Sequence, residues 1–183
     1  MNLVQKIICH NAVGLTKNVV KQGDIVVVNV ARTLASEITQ VGIEQTVRNL
    51  NVKKLWRNDR FFLALDHSLD PRNYHEDAIQ KRIKACDNFV KDFQIKEYFG
   101  PNQSILHTEF YRQKATPGSI IIGSDSHSCS HGCVGALAIG MGASDTAMPL
   151  ITGTTWLQVP EVILIEFVGK LSFGMVGKDL ILH

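Results

Sequence analysis

Hydrophobic positions along the chain switch repeatedly between a helical and an extended period. In "LVQKIICHNAV" the apolar residues at 3, 4, 7 and 8 form the stripe of a short amphipathic helix. "GDIVVVNVAR" (23–32) is a β-branched run behind a Gly-Asp turn and predicts a buried strand. "ITQVGIEQTVRNLN" returns to helical spacing through Val41, Val47 and Leu50. A second apolar run, "RFFLALDH", stops abruptly at Asp66-His67. After "DPRN" the longest helix is expected over about 73–93, with Ile79, Ile83, Cys86, Phe89, Val90 and Phe93 on one stripe. Residues 103–113, "QSILHTEFYRQ", fit either period, and the "TPG" stop behind them favours a helix. "SIIIGSD" predicts a third buried strand ending in an acid. The glycine-rich "HGCVGALAIGMGASD" leads into helices of small residues, "EVILIEFVGKL" predicts a fourth strand, and "GKDLILH" the first turn of a helix.

Short apolar strands alternating with helices predict an α/β sheet covered on both faces, a three-layer αβα domain. In such sheets functional groups gather where the carboxyl ends of the strands open into loops. Both acid-histidine steps of the chain, Asp66-His67 and Asp125-Ser126-His127, fall there.

Composition narrows the function classes. A chain of 183 residues fits one domain, residues 1–183, with a sizeable core. A net charge of +2, with the basic residues scattered and densest in "VKKLWRNDR" (52–60), gives no footprint for nucleic acid. No segment approaches the ~20 apolar residues that span a membrane, and the N-terminus has no signal-peptide pattern. Cysteines at 9, 86, 129 and 133 make no disulfide framework, so reduced thiols in a cytoplasmic or mitochondrial-matrix compartment are expected.

The chemistry concentrates in few residues. A histidine beside a carboxylate at a strand end is held in one tautomer with its proton affinity raised, as a general acid requires; Asp66-His67 has that form, and equally that of a strand-to-helix turn. His107, on a helix, fits packing or catalysis, and His10, His75 and His183 carry no signal. "GSDSHSCSHGC" (123–133) sets His127, Cys129, His131 and Cys133 at alternate positions. It is either a two-His, two-Cys zinc site or a polar catalytic loop with incidental cysteines. Zinc sites pair ligands with a second pair far along the chain, whereas the other cysteines here are isolated. The run Gly132, Gly135, Gly140 and Gly142 matches neither a dinucleotide fingerprint nor a P-loop. It suits close approach of helix and loop to the sheet or an anion at a helix N-terminus.

"LALDHSLDPRN", "ILHTEFYRQKATPGSIIIGSDSHSCSHGCVGALAIGMGASD" and "VPEVILIEFVGKLSFGMVGKDLIL" together resemble the aconitase superfamily. The resemblance runs from about residue 3 onwards, and its "S-C-S-H-G" form looks closer to the isopropylmalate and homoaconitate branch. It implies the first domain of the aconitase fold and a hydro-lyase that dehydrates and rehydrates a hydroxy-polycarboxylic acid on a 4Fe–4S cluster. Asp66 and His67 match the family's pair that assists departure of the hydroxyl. His107 matches the histidine paired with the loop aspartate Asp125, and lies 18 residues before it. Ser126 matches a substrate-carboxylate contact, and His127 a histidine near the leaving water. Ser36 stands where aconitase itself has a substrate-binding glutamine and so bears on substrate choice.

The family's cluster cysteines do not match Cys129 or Cys133, so no metal ligand is assigned here and the loop favours catalysis. The resemblance further implies a fragment that depends on remaining domains or a partner subunit and is inactive alone. An apolar helix stub at 178–183 is then expected to be frayed or held by a neighbouring chain. The rival expectation is a truncated, non-catalytic paralogue acting as a binding module or subunit, with a zinc-dependent hydrolase behind it.

Overall fold

The computed structural model describes residues 1–70 and 72–182. Five short strands form a fully parallel sheet: β2 (Arg32–Ser36), β3 (Phe61–Ala64), β4 (Glu97–Phe99), β5 (Ile120–Gly123) and β6 (Leu137–Gly140), in spatial order β4-β3-β2-β5-β6. The chain builds outward from β2 to β4, then crosses back to β5 on the other side of β2. That reversal opens a crevice between the carboxyl ends of β2 and β5, the usual ligand position in an open α/β sheet.

The central strands are buried on both faces, as a parallel sheet requires. Ala35, Phe61 and Leu63 pack under α2 (Glu37–Asn49), α3 (Asp77–Phe93) and α5 (Ala143–Thr152). Leu34, Phe62, Ala64 and Ile121 pack on the opposite face against Leu106 and Phe110 of α4 (Leu106–Gln113). Burying each such side chain contributes roughly 1.5–3 kcal/mol. The three-layer expectation therefore holds.

Several expected elements differ. The 25–29 run is β1 (Ile25–Asn29), but it does not join the main sheet as a buried strand. It pairs antiparallel with β7 (Thr154–Gln158) in a separate two-stranded sheet, and alternate residues face outward. Only Val26 and Val28 go inward, against Ile7 and Ile8 of α1 (Leu3–Asn11) and Ile120 and Ile122 of β5. On α2 the buried stripe is Glu37, Gln40, Ile43 and Val47, whereas Val41 and Leu50 stay 47% and 55% exposed. The stripe runs through two polar residues: Glu37 reaches the turn after β3, while Gln40 donates to Glu44 and accepts from the Cys86 thiol. α3 starts at Asp77 rather than near 73, since 72–75 form a turn in which the Asp70 carboxylate accepts from the Arg72 N–H (2.9 Å).

The strand expected in "EVILIEFVGKL" is absent: residues 161–168 have no regular secondary structure and no ladder partners among the described residues, and Ile163, Leu164 and Val168 are exposed. β propensity makes a strand only where another strand pairs with it. The terminal helix is present as α6 (Gly177–Leu182), exposed along its length; His183 lies outside the described residues. No helix among the described residues is long and apolar enough to cross a membrane.

Candidate active site

The carboxyl ends of β2, β3 and β5 carry the chemistry. β3 delivers Asp66 and His67 just past its last residue, and β5 delivers Asp125, which caps a 3-10 helix (Ser126–Val134) by accepting from the His127 N–H (2.7 Å). His107 enters from the first turn of α4.

These side chains form one hydrogen-bonded run. Asp66 Oδ1 lies 2.6 Å from Nδ1 of His67, and His67 Nε2 lies 3.1 Å from Asp125 Oδ2. The other Asp125 oxygen, Oδ1, lies 2.7 Å from His107 Nε2, and His107 Nδ1 lies 3.3 Å from His131 Nε2. Asp66 is anchored in turn, because its Oδ2 accepts from the Leu106 N–H at the start of α4 (2.7 Å). A carboxylate at a helix N-terminus is favoured by the helix dipole. Ser126 Oγ and His127 Nδ1 lie 3.3 Å apart at the exposed start of the 3-10 helix, where the His127 side chain is 76% exposed.

The electrostatics follow from this pairing. Burial alone would pull the proton off His67, but Asp66 and Asp125 on its two ring nitrogens outweigh burial and raise its proton affinity above the ordinary histidine value. Burial would also push the Asp125 carboxyl up. The His127 amide, His107 and the charge of His67 reverse that and hold it at about 2. His131 is buried and faces His107, and both effects push it down to about 4. The site thus pairs an anionic Asp125 with a His67 that keeps its proton more readily than a free histidine.

Two groups bring metal-competent atoms within 4.8 Å of one another: His107, Asp125 and His127, and Glu37, Asp66 and His67. Neither group contains sulfur. The residues present do not fit an iron–sulfur cluster as ligands. Cys86 is buried in α3, with burial and nearby carboxylates pushing its thiol up to about 12. Cys9 lies on α1, and Cys129 and Cys133 are exposed on the 3-10 helix. The alternating 127–133 residues do not share one side of a strand either: the 3-10 turn sends His131 inward and the two cysteines outward.

The structure brings Asp66, His67, His107, Asp125, Ser126 and His127 together. Ser36 sits at the end of β2, fully buried, and its Oγ has no hydrogen-bond partner among the described residues. Two residues that the sequence reading left without a role belong to the same surroundings. Glu37, fully buried, accepts from the N–H groups of Asp66 (3.1 Å), His67 (3.4 Å) and Ser68 (2.5 Å) and from Ser68 Oγ (2.8 Å), and so fixes the turn that carries the dyad. His131 closes the far end of the run. An acid directly after a strand marks Glu37; the alternating loop marks His131 only as a candidate zinc ligand, and nothing local marks its place beside His107.

Cavity size alone would point elsewhere. A hollow of about 610 Å³ lies among Lys53, Trp56, Arg57 and Lys96 at the amino end of the sheet, while one of about 360 Å³ lined by Leu65, Asp66, Leu69 and Gln103 adjoins the dyad. The convergent histidines and carboxylates carry more weight than volume.

Comparison with known proteins gives the family. The pattern of the aconitase family (aconitate hydratase) matches residues 5–183. A protein named aconitase in Alternaria alternata is 45% identical over 184 residues, covering 100% of this chain and 22% of its own length. One named aconitase in Aspergillus rugulosus is 43% identical, covering 100% of this chain and 21% of its own length. A 3-isopropylmalate dehydratase large subunit of Caldivirga maquilingensis is 35% identical, covering 90% of this chain and 39% of its own length. The chain therefore spans about a fifth to two-fifths of the length of these relatives. With the dyad, the Asp-Ser-His loop and the parallel sheet in place, the match over residues 5–183 makes this chain a member of the aconitase family.

Proposed function

We propose that the chain supplies one wall of a hydro-lyase active site that dehydrates and rehydrates a hydroxy-polycarboxylic acid of the isopropylmalate, homocitrate/homoaconitate or citrate type. The observation that carries this reading is the continuous run Asp66–His67–Asp125–His107 at the crevice of the sheet. Relatives named aconitase and isopropylmalate dehydratase support the substrate class.

In this reading His67 is the general acid. Asp66 holds its Nδ1–H, which leaves Nε2–H as the transferable proton. The substrate hydroxyl displaces Asp125 Oδ2, the longer of the two His67 contacts, and its C–O bond breaks as it takes that proton and leaves as water, while a base from the remaining domains takes the proton of the neighbouring carbon and the C–H electron pair becomes the double bond. Asp125, held anionic, stabilises the protonated ring before the transfer and again once Nε2 is reprotonated. Ser126, exposed at the amino end of the 3-10 helix, contacts a substrate carboxylate, and His127 beside it stands near the leaving water. Ser36 lies beneath this surface, so its bearing on substrate choice runs through packing at the end of β2.

The family's 4Fe–4S cluster would supply Lewis-acid activation of the hydroxyl and a carboxylate. Its ligands would come from the remaining domains or a partner subunit of the complete enzyme. Four free cysteines are in keeping with a cytoplasmic or mitochondrial-matrix setting.

The test is to assay the complete protein for interconversion of hydroxy acid and enoate with isopropylmalate-, homocitrate- and citrate-type acids, beside His67→Ala. Turnover of one class, lost in the variant, is the expected result. Binding of these acids without turnover in the cluster-loaded protein would replace the catalytic reading with that of a non-catalytic binding module.

A further inference from the structure

His131 lies on the 3-10 helix Ser126–Val134, fully buried, with its ring centroid 4.7 Å from that of Phe110 and 5.3 Å from that of His107. Its Nε2 faces His107 Nδ1 at 3.3 Å, and its own Nδ1 has no hydrogen-bond partner among the described residues.

Few proton placements satisfy these contacts. Asp125 is a carboxylate and can only accept, so the His107 Nε2 that touches Oδ1 carries a hydrogen. A neutral His107 then presents a bare Nδ1, and the contact with His131 is a hydrogen bond only when His131 Nε2 donates. In the opposite arrangement His131 accepts at Nε2 and carries its hydrogen on Nδ1, where nothing receives it. Stranded buried N–H groups are the rarer defect in folded proteins, since such a donor loses its hydration with no return.

We propose that His131 is a positioning residue of this site: by donating from Nε2 to His107 Nδ1 it fixes the tautomer and ring plane of His107, and through His107 the carboxylate of Asp125. Burial and the facing His107, which together push its ionisation down to about 4, keep it a neutral, fixed donor near neutral pH. It acts through another side chain, as the partners that orient catalytic imidazoles generally do. The proposal extends the reading of Asp66–His67–Asp125–His107 as the proton-handling group. It rests on that reading for its catalytic consequence only.

The experiment is histidine-selective ¹⁵N labelling of the chain with long-range ¹H–¹⁵N spectra at neutral pH. The expected spectrum has the His131 proton on Nε2, its Nδ1 pyridine-like, and an N–N coupling across the hydrogen bond to His107 Nδ1. A His131 proton on Nδ1, or no coupling, overturns the proposal. His131→Phe keeps a ring against Phe110 and removes the donor. The ratio of the His107 Nε2–H tautomer to its other proton placements should then fall on the order of tenfold, the loss of one hydrogen bond of ordinary net strength. His131→Gln, which can place an N–H at the same point, should restore it. Unchanged His107 resonances in the Phe variant also overturn the proposal. The expected spectra, together with a complete enzyme whose His67→Ala variant turns over unimpaired, would refute the catalytic reading and leave the His131 assignment standing.

Discussion

Glu37 and Ser68, thirty-one residues apart in sequence, share one carboxylate oxygen: Glu37 Oε1 accepts from both the Ser68 N–H (2.5 Å) and its hydroxyl (2.8 Å). The same hydroxyl accepts from Arg82 Nη1 at 2.9 Å. The turn after β3 is thus bound to the first turn of α2 and to α3, and His67 is carried on a fixed backbone.

Replacing Glu37 with Gln sets an amide N–H₂ against backbone N–H donors. The expected loss is about 1–3 kcal/mol, the cost of buried donors left unsatisfied. It is read as a lower urea midpoint and faster amide exchange at residues 66–68. Exchange unchanged at these three amides would mean that the turn holds itself.

In the complete enzyme, His67→Ala is expected to lower kcat by about 10²-fold or more with KM little altered, because the proton is needed mainly in the transition state. Asp66→Asn should give a smaller loss: the amide can still accept at Nδ1 but no longer supports the imidazolium by charge. Steady-state kinetics of both variants test the order.

His131 predicts a pH dependence of stability. Its proton is bound at pH 6.5 in the unfolded chain but only near 4 in the folded one. The unfolded state therefore takes up the proton first, and folded stability falls as pH drops from about 6.5 to about 4. The loss amounts to up to about 3 kcal/mol. His67 has the opposite sign: its raised affinity stabilises the fold below 6.5, and that contribution disappears as pH rises through its folded value. His131→Phe should flatten the acid limb of a urea-midpoint series and leave the alkaline side as in the wild type.

Gly140, at the end of β6, leaves room for the Asp125 backbone. A Cβ built there would lie 2.7 Å from the Asp125 carbonyl oxygen, a backbone atom that cannot rotate away. Gly140→Ala should cost about 1–3 kcal/mol by overpacking and displace Asp125 from His67. Thermal melting and a crystal structure of the variant would show both effects.

The acid-histidine steps were legible because a short buried strand that halts at polar residues must turn there, and turns at the carboxyl ends of a parallel sheet face the crevice. The sequence marks no strand at β2 ("RTLAS"), β4, β6 ("LAIG", inside the run expected to lead into helices) or β7, because they are three to five residues long, without a continuous β-branched run; they are strands by virtue of their neighbours. Segment 161–168 is the converse, rich in β-formers but without a partner among the described residues. His131 could not be read because its burial depends on Phe110 and His107, which the fold brings to it from another element.

Asp125 gives one oxygen to His67 and the other to His107. A single negative charge therefore orients two imidazoles at once. The protons of His67 and Asp125 are gained and lost as a coupled pair, so each limb of a bell-shaped rate profile belongs to the two together rather than to one side chain. Replacing either should move both limbs at once.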